Sequence, residues 1–569
     1  MRGGYRAIER GTLATLLVLI CLLCGWPLIA LLRLGALPDV EAVSPLQAIL
    51  DTLSGRSVQR ALWHSLHSAS LAALIATLLG SVLALTMTLA RVRARAVLVF
   101  LLLLPMMIPP HVTAIAWTQA LGPSSSLLGW LGLAPPPGSP NPVQTPAGLV
   151  ALLALQHLPV ALLLVQTTLR GLPADLIDAA RMAGAGQALL LRRILLPLLL
   201  PALIAATTLS FIAALGNFGI NALIGIPARY TTLPVLIWQR LSSFGPGVLG
   251  EIATLAAILA LLALVMVLLS WWLLARARRS VPASGGTLGD RVRSEGGAST
   301  AAERVLWSFV LATLGFPLLS LLAGSLVPTY GVALDASTVT LRHYVEVFGQ
   351  SVTLRAFGNS AFAAGLAAAL IALVSIPLAH YINSGDARVR RLASFAAVQA
   401  DLAYAVPGLV MSVAFILVFL EPLPLVQVSL YGTLTLIILA YLAVFLAVGL
   451  KPVASAAGQL DTTLDEAARL NGAGFLRRMA RVHAPLLLPA ALSGAVLVFL
   501  TAYNEITVSA LLWSSGNETI GSVIFNYEDG GYTTLAAAMA VLTVLASVAL
   551  MLALSRFARR LPAGVVPWS

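Results

Sequence analysis

Charge-free apolar stretches recur along this 569-residue chain and constrain its fold more than any other feature. Each stretch is near the roughly 20 residues with which an α-helix crosses the hydrocarbon core of a bilayer. Backbone polar groups find no water in lipid, so a segment of this kind has to be helical. Together the stretches predict an all-α membrane protein with about twelve transmembrane helices, at residues 12–32, 66–90, 97–120, 148–169, 195–225, 252–275, 305–327, 358–382, 394–420, 428–450, 485–513 and 534–555.

The basic residues lie mostly in alternate connections between these stretches. If the N-terminus is cytoplasmic, the inner segments hold 27 of the 34 Lys and Arg residues, which agrees with the retention of these residues on the cytoplasmic side. The net charge of +12 is therefore interpreted as a topological signal, and we predict no nucleic-acid binding. An even number of spans places both termini in the cytoplasm, in a multi-pass protein whose immediate partner is membrane lipid.

A polar segment rich in Ser, Gly and Pro separates the sixth stretch from the seventh, at residues 280–302. This composition is typical of a flexible linker. We predict a first transmembrane domain at 1–279, a cytoplasmic linker at 280–304 and a second transmembrane domain at 305–569. Because each domain holds six spans, the second re-enters the membrane in the same direction as the first, so we expect two parallel six-helix repeats.

The two halves also share a sequence repeat. Shifting the chain by 288 residues lays 178–201 over 466–489, and 12 of these 24 positions are identical. Chance matches between apolar helices would be Leu and Ala, whereas this set includes aligned glycines, prolines and arginines. The identical positions include Arg181 with Arg469, Gly184 with Gly472 and Pro197 with Pro485.

Both copies fall in the loop between the fourth and fifth spans of their half, on the predicted cytoplasmic side. Pro173 suits the first turn of a short helix. Asp461 to Thr463 offer N-cap residues for its counterpart, and Thr463 with Glu466 has capping-box spacing. We expect Gly184 and Gly472 to end these helices, because glycine readily adopts the left-handed C-terminal conformation. Each small-residue face, flanked by an acid and an arginine, would suit docking of another protein.

The repeated segment resembles the cytoplasmic signature of binding-protein-dependent ABC importer permeases, in which Glu-Ala-Ala is followed after three residues by Gly and then by Ile-x-Leu-Pro. Asp178 replaces the usual Glu in the first copy; Val482 and Ala484 replace Ile and Leu in the second. The resemblance implies the type I importer permease fold and two coupling helices that bind ATPase subunits, with the coupling residues Asp178, Ala179, Ala180, Arg181, Gly184, Glu466, Ala467, Ala468, Arg469 and Gly472.

The same resemblance implies a location in the bacterial inner membrane, with two copies of an ABC ATPase on the cytoplasmic side and a periplasmic substrate-binding protein as partners. ATP would be bound by the partner subunits, and no cofactor is expected in this chain. A phosphate-binding P-loop needs Gly-Lys-Ser/Thr, but the only lysine, Lys451, lies between Leu450 and Pro452. We therefore predict a transport subunit that is not an enzyme and has no catalytic residues.

Polar residues within spans are costly and are candidates for the substrate pathway. The repeat pairs Asn217 with Glu505, which we expect well inside the fifth span of each half and toward its outer end. They would either face each other across a central pore or, in the case of Glu505, lie at the outer water interface. Neighbouring Asn221 and Asn504 are further pathway candidates.

Other polar and breaking residues have simpler interpretations. Asp401 is expected to make a helix–helix or interfacial contact. His64 and His67 lack a nearby carboxylate, and Cys21 and Cys24 lack further ligands, so we predict no metal site. Prolines at 105, 109, 110 and 407 should break the third span of each half at plausible gate or hinge positions.

Fusion of two such halves resembles the ferric-iron, thiamine and 2-aminoethylphosphonate group of permeases. Residues 216–229 and 504–513 resemble the iron branch most, so ferric iron is the expected substrate and the other two are alternatives. The alternative class is an ion-coupled secondary transporter, which can also have twelve spans in two parallel halves. Such a transporter should need no ATPase and should carry charged relays in mid-membrane.

Overall fold

The computed structural model describes residues 2–36, 45–90, 92–243, 247–277, 300–422 and 427–558, and every regular element in these ranges is a helix. Within these ranges, ten helices are long and apolar enough to cross a membrane, and twelve spans result when each of two bent pairs counts as one. The prediction of about twelve spans is confirmed. The spans are α1 Ile8–Gly35, α2 Arg56–Thr88, α3 Arg95–Met106 with Pro110–Trp130, α4 Pro146–Arg170, α5 Ala188–Leu215, α6 Val248–Ala277, α7 Thr300–Ser325, α8 Ser351–Ile382, α9 Ala387–Ala405 with Gly408–Phe419, α10 Leu434–Ala457, α11 Phe475–Tyr503 and α12 Thr533–Ala553.

The third span of each half is broken where prolines predicted it. The two parts of α3 meet at 101°, and those of α9 meet at 110°. Proline lacks an N–H and displaces the preceding turn, so carbonyl groups at a break need new donors. In α3 the donor is Gln156 of α4, whose side-chain amide lies 2.9 Å from the Pro105 carbonyl and 3.3 Å from that of Ile108.

Four spans contain a single π-helical turn, and these turns form two symmetric pairs within the described residues. Cys21–Gly25 of α1 matches Leu311–Gly315 of α7, while Leu191–Leu195 of α5 matches Met479–His483 of α11. A π-turn holds one extra residue and rotates the side chains that follow it around the helix axis. The repeat seen in sequence is therefore also a repeat of backbone geometry.

The two six-helix halves are interlocked. In the first half α2, α4 and α5 pack together, and α8, α10 and α11 do the same in the second. The first helix of each half crosses over, because α1 packs against α9 and α7 packs against α3. Trp26 thus meets Phe419 with ring centroids 6.4 Å apart, and the Ser320 hydroxyl donates to the Gln119 carbonyl at 2.9 Å.

The expected ends of the fifth span in each half are wrong. α5 ends at Leu215 and α11 at Tyr503, about ten residues before the predicted ends at 225 and 513.

Residues 280–299 of the predicted linker lie outside the described residues, and α7 begins at Thr300. Shorter helices connect the spans, at Pro45–Ser54, Ala174–Met182, Gly219–Gly225, Leu233–Leu241, Arg342–Gly349, Thr462–Leu470, Ser509–Leu512 and Ile520–Asp529.

Candidate functional site

The duplicated segment folds into two short surface helices, Ala174–Met182 and Thr462–Leu470, which we call the first and second repeat helices. Each ends at the predicted glycine, with φ of +81° at Gly184 and +76° at Gly472. The glycine N–H donates to the Arg181 or Arg469 carbonyl, and the next residue donates to the Ala180 or Ala468 carbonyl at 2.9 or 3.0 Å. This pair of hydrogen bonds is a Schellman motif, which requires the left-handed conformation that glycine adopts without steric cost.

The N-terminal ends of the repeat helices differ from expectation. Pro173 has extended backbone angles and occupies the N-cap, so it precedes the first turn. In the second helix the N-cap is Asp461, whose carboxylate accepts from the Thr463 N–H at 2.9 Å and whose pKa this bond lowers. Thr463 is therefore inside the helix, and the predicted capping box with Glu466 is wrong. Asp461 caps more strongly, because an ionised carboxylate also suits the helix dipole.

Both repeat helices present an apolar face to solvent. Leu470 is 88% exposed, and Met182 at the equivalent position is 84% exposed. Leu176 and its equivalent Leu464 are also exposed, six residues or nearly two turns earlier, with an exposed alanine midway between each pair. The sequence analysis named the alanines and missed these large residues, although each lies three residues from the exposed alanine, a spacing at which helix side chains are neighbours.

The charged coupling candidates differ in exposure between the halves. Arg181, Glu466 and Arg469 are exposed, whereas Asp178 is half-buried. Of the paired alanines, Ala179 and Ala467 are exposed, Ala468 is half-buried and Ala180 is buried. An exposed acid, arginine and apolar face together form a surface that a protein partner can cover.

The second repeat helix is held by a polar network at the end of the bundle where α1 begins. Arg478 is 3% exposed, and its Nη1 lies 2.5 and 2.6 Å from the two carboxylate oxygens of Asp465. Glu9 of α1 lies 3.3 Å from Arg478 and 3.6 Å from Arg469. Burial raises the pKa of Asp465, but hydrogen bonds from His483 and Arg478 and the charges of both arginines outweigh burial and lower it.

The positions of the first half that correspond to this network are apolar. At a shift of 288 residues, Asp465, Arg478 and His483 correspond to Ile177, Leu190 and Leu195, and these three are 5%, 7% and 2% exposed. The halves therefore share the exposed helix but differ in chemistry at these three positions beneath it.

Beyond the far ends of α5 and α11, the pathway candidates Asn217 and Glu505 lie in turns, so their expected position inside the fifth span is wrong. Asn217 accepts from the Ile220 N–H at 3.0 Å, and Glu505 accepts from the Val508 N–H at 2.7 Å. Each side chain thereby caps the short helix that follows, since the first N–H groups of a helix lack internal partners. Asn221 is buried and donates to the Asn217 carbonyl.

These turns contact the break in the opposite half. The Asn504 amide donates to the Met107 carbonyl of α3 at 2.9 Å. Its repeat equivalent Gly216 faces Pro407 at the break of α9, where a Cβ on the glycine would lie 2.9 Å from the proline Cβ. The end of each fifth span is therefore packed against the bend of the other half's third span.

The remaining polar candidates have local partners. Asp401 forms an ion pair with Lys451 of α10 at 3.0 Å, which is the helix–helix contact expected of this residue. His67 bonds to the Tyr230 hydroxyl at 2.7 Å, and the His64 ring stacks on the Tyr230 ring at 3.8 Å. Cys24 is buried and donates to the Ala443 carbonyl at 3.8 Å.

Several proteins resemble this chain over most of its length. The probable ABC transporter permease protein y4fN of Sinorhizobium fredii is 26% identical over 551 residues, covering 95% of this chain and 93% of its own. The ferric transport system permease protein FbpB of Actinobacillus pleuropneumoniae is 24% identical, covering 94% of this chain and 76% of its own. The molybdenum transport system permease protein ModB of Escherichia coli K12 is 29% identical over 215 residues, or 37% of this chain and 90% of its own.

Residues 67–280 and 376–563 each match the family described as binding-protein-dependent transport system inner membrane component. Each matched segment contains one repeat helix, and together the segments span well over half of the chain. The interlocked halves are thus two copies of one permease domain in a single polypeptide. The chain belongs to the family of binding-protein-dependent ABC importer permeases, in its fused two-domain form.

Proposed function

We propose that this importer permease carries ferric iron and that its two repeat helices receive the force of two external ATPase subunits. The duplicated and exposed repeat helices support the coupling role best, because both present the same apolar positions and the same glycine stop to solvent. Exposure of an apolar face to water is unfavourable in free energy, and a bound partner would remove this exposure.

The coupling residues would divide the work within each repeat helix. Ala179 and Ala467 allow close approach of a partner backbone, while Arg181, Arg469 and Glu466 can pair with its charges. Asp178, Ala180 and Ala468 lie closer to the membrane helices and position the exposed residues. Gly184 and Gly472 end each helix, so that a push on it is passed to the following span.

α5 and α11 would carry the motion across the membrane. α5 has 28 residues and is therefore about 42 Å long at 1.5 Å per residue. Its far end packs at Gly216 against the break of α9, and α11 packs at Asn504 against the break of α3. Movement of a repeat helix on closure of the ATPases would thus shift the bend in the opposite half.

We place the substrate pathway between these bends. Separation of the halves there would uncover Asn217, Asn221, Asn504 and Glu505, whose oxygen atoms suit a hard cation or its chelate. Hydrolysis of ATP would return the bends to their packed positions. A loaded periplasmic binding protein would deliver the cargo at the end opposite the repeat helices.

The orientation and domain limits belong to the same proposal. The repeat helices and both termini face the cytoplasm of the bacterium, in line with the distribution of arginine. The domains are 1–279 and 305–569, with 280–304 as a cytoplasmic linker. ATP binds to the partner subunits, and this chain supplies no ATPase site.

Ferric iron is favoured over thiamine and 2-aminoethylphosphonate because the relative named as a ferric transport permease aligns with both halves of this chain. The molybdenum relative aligns with about one half. Uptake of labelled ferric iron, thiamine and 2-aminoethylphosphonate should be compared in cells with and without the chain. Iron uptake alone should depend on it, and dependence of another cargo instead would overturn the assignment.

The coupling role needs a separate test. Gly184→Pro with Gly472→Pro should abolish ATP-dependent uptake, because proline cannot adopt positive φ. Reconstituted vesicles that move cargo at full rate without nucleotide would instead indicate an ion-coupled secondary transporter.

A further inference from the structure

A large solvent-open cavity lies beside the second repeat helix. Its volume is about 760 Å³, and it is bounded by the start of α1, the end of α8 and the second repeat helix. Among the described residues, five carboxylates line it against two arginines, and both His380 and His483 lie on its wall. Negative charge in a cleft concentrates cations. The carboxylates are Glu9, Asp386, Asp461, Asp465 and Glu466, and the arginines are Arg10 and Arg469.

Three ligand-type side chains converge at this wall. One ligand atom from each of His380, Asp465 and His483 lies within 4.8 Å of the others. His483 Nε2 is 3.0 Å from Asp465 Oδ1, and the two imidazole rings are 4.4 Å apart. Ligands of a tetrahedral zinc ion at about 2.0–2.1 Å lie roughly 3.4 Å from one another. The most widely separated pair therefore needs to close by at most roughly 1.4 Å, and the His483–Asp465 pair is already within this separation.

The three groups come from separate elements that the fold brings together. His380 lies near the end of α8, Asp465 in the second repeat helix and His483 in the π-turn of α11. In the first half the repeat equivalents of Asp465 and His483 are Ile177 and Leu195, which are buried apolar residues. The cluster is therefore absent from the equivalent positions of the first repeat and is specific to the second.

We propose that His380, Asp465 and His483 bind one divalent transition-metal ion, with water completing its coordination. Two imidazoles and one carboxylate form a donor set that suits Zn²⁺, Fe²⁺ or Co²⁺, since imidazole is a borderline ligand and the carboxylate offsets the charge. The ion would replace the hydrogen between His483 Nε2 and Asp465 Oδ1. A doubly protonated His483 would release that proton to solvent and keep the one on Nδ1, whereas in a singly protonated ring the proton would move to Nδ1, so a neutral imidazole binds the ion in both cases.

Neighbouring charges permit this exchange. Arg478 contacts both oxygens of Asp465, and Arg469 lies 2.9 Å from Oδ2, so the arginines keep that carboxylate ionised and oriented. Each carboxylate oxygen has two lone pairs, so Oδ1 can bind the ion while it keeps its contact with Arg478. Glu9 faces Arg478 and Arg469 and balances their charge.

Metal binding would join three elements that are otherwise connected by weaker contacts. The end of α8, the second repeat helix and the start of α11 would become one rigid unit. Opening of the second repeat helix should therefore slow when metal is bound, and the first repeat helix should be unaffected. This inference depends on the cluster alone and not on the cargo or the ATPase.

The test uses the full chain in lipid nanodiscs, purified without a polyhistidine tag and stripped with chelator. Titration with Co²⁺ should give one site per chain and a visible absorption band of a low-coordinate ion, which Zn²⁺ then displaces. H380Q and H483Q should each weaken Co²⁺ binding at least tenfold. H64Q and H67Q change the only two histidines that lie within a few residues of each other in the sequence. These variants should bind Co²⁺ as the wild type does.

A second measurement needs no variant. Saturating Zn²⁺ should slow amide hydrogen exchange in 462–470 at least fivefold and leave 174–182 unchanged, so the first half serves as an internal control. The proposal is overturned if the wild-type chain binds no Co²⁺, if H380Q and H483Q bind it as the wild type does, or if Zn²⁺ protects both repeat helices equally. None of these outcomes depends on whether the chain transports iron.

Discussion

The apolar faces of the repeat helices offer the sharpest test of the coupling role. Met182→Ala combined with Leu470→Ala shortens the most exposed large side chain of each helix. These residues are 84% and 88% exposed, so they make few contacts within the chain. Alanine is also the best helix former, and the change should leave the fold and its stability intact.

The expected effect follows from the area that docking would bury. Each substitution removes three heavy atoms, and burial of a methylene is worth about 0.8 kcal/mol, so each site would lose about 2 kcal/mol. A loss of 1.4 kcal/mol is tenfold in affinity. Each ATPase subunit should therefore bind roughly 30-fold more weakly to its altered repeat helix.

Binding of purified ATPase subunits to the chain in nanodiscs measures this directly. The single variants should each weaken one of two sites, and the double variant should weaken both. Leu133→Ala is the matched control, because Leu133 is 69% exposed and follows α3 at the opposite end from the repeat helices. ATPase binding by the double variant within threefold of the wild type would refute the coupling role of these faces.

Three further changes test the structure around the site. Gly472→Ala places a Cβ at φ +76°, which costs roughly 1–2 kcal/mol. Amide hydrogen exchange in 462–470 should therefore become about fivefold faster or more. Gly186→Ala, at an ordinary φ, should leave this exchange rate unchanged. Arg478→Met removes a buried arginine that is 3% exposed and leaves the carboxylates of Asp465 and Glu9 without this partner. The loss should destabilise the chain by about 3–5 kcal/mol. Leu190→Met at the equivalent position should cost less than about 1.5 kcal/mol; equal shifts in thermal unfolding would contradict the difference in anchoring. Gln156→Leu leaves two carbonyl groups at the break of α3 without their donor, which should cost about 1–3 kcal/mol. The unfolding temperature should fall. An unchanged temperature would mean that other groups donate to these carbonyls.

The sequence predicted the spans, the breaks and the glycine stops because each depends on local chemistry. Pro407 breaks α9 through its missing N–H, and Gly472 ends the second repeat helix through its freedom at positive φ. The predicted ends of the fifth spans were wrong because Asn217 and Glu505 follow long apolar stretches and were therefore interpreted as intramembrane polar residues. Only the fold shows that each caps a short helix after a turn.

The capping box of the second repeat helix failed for a related reason. Thr463 and Glu466 have the right spacing, but Asp461 lies two residues earlier and caps the helix first. Two N-cap candidates in one segment compete, and backbone geometry decides between them. The large exposed residues Met182 and Leu470 were missed because composition cannot say which side of a short amphipathic helix remains uncovered.

The sequence by itself determined that this is a twelve-span membrane chain made of two repeats, because hydropathy, glycine and proline act within a few residues of their own position. The tertiary structure alone decided which distant groups meet. α1 and α7 exchange between halves, Asn504 of one half reaches Met107 of the other, and His380 joins Asp465 and His483. These contacts depend on how spans hundreds of residues apart pack, and packing is a property of complementary surfaces that no local pattern encodes.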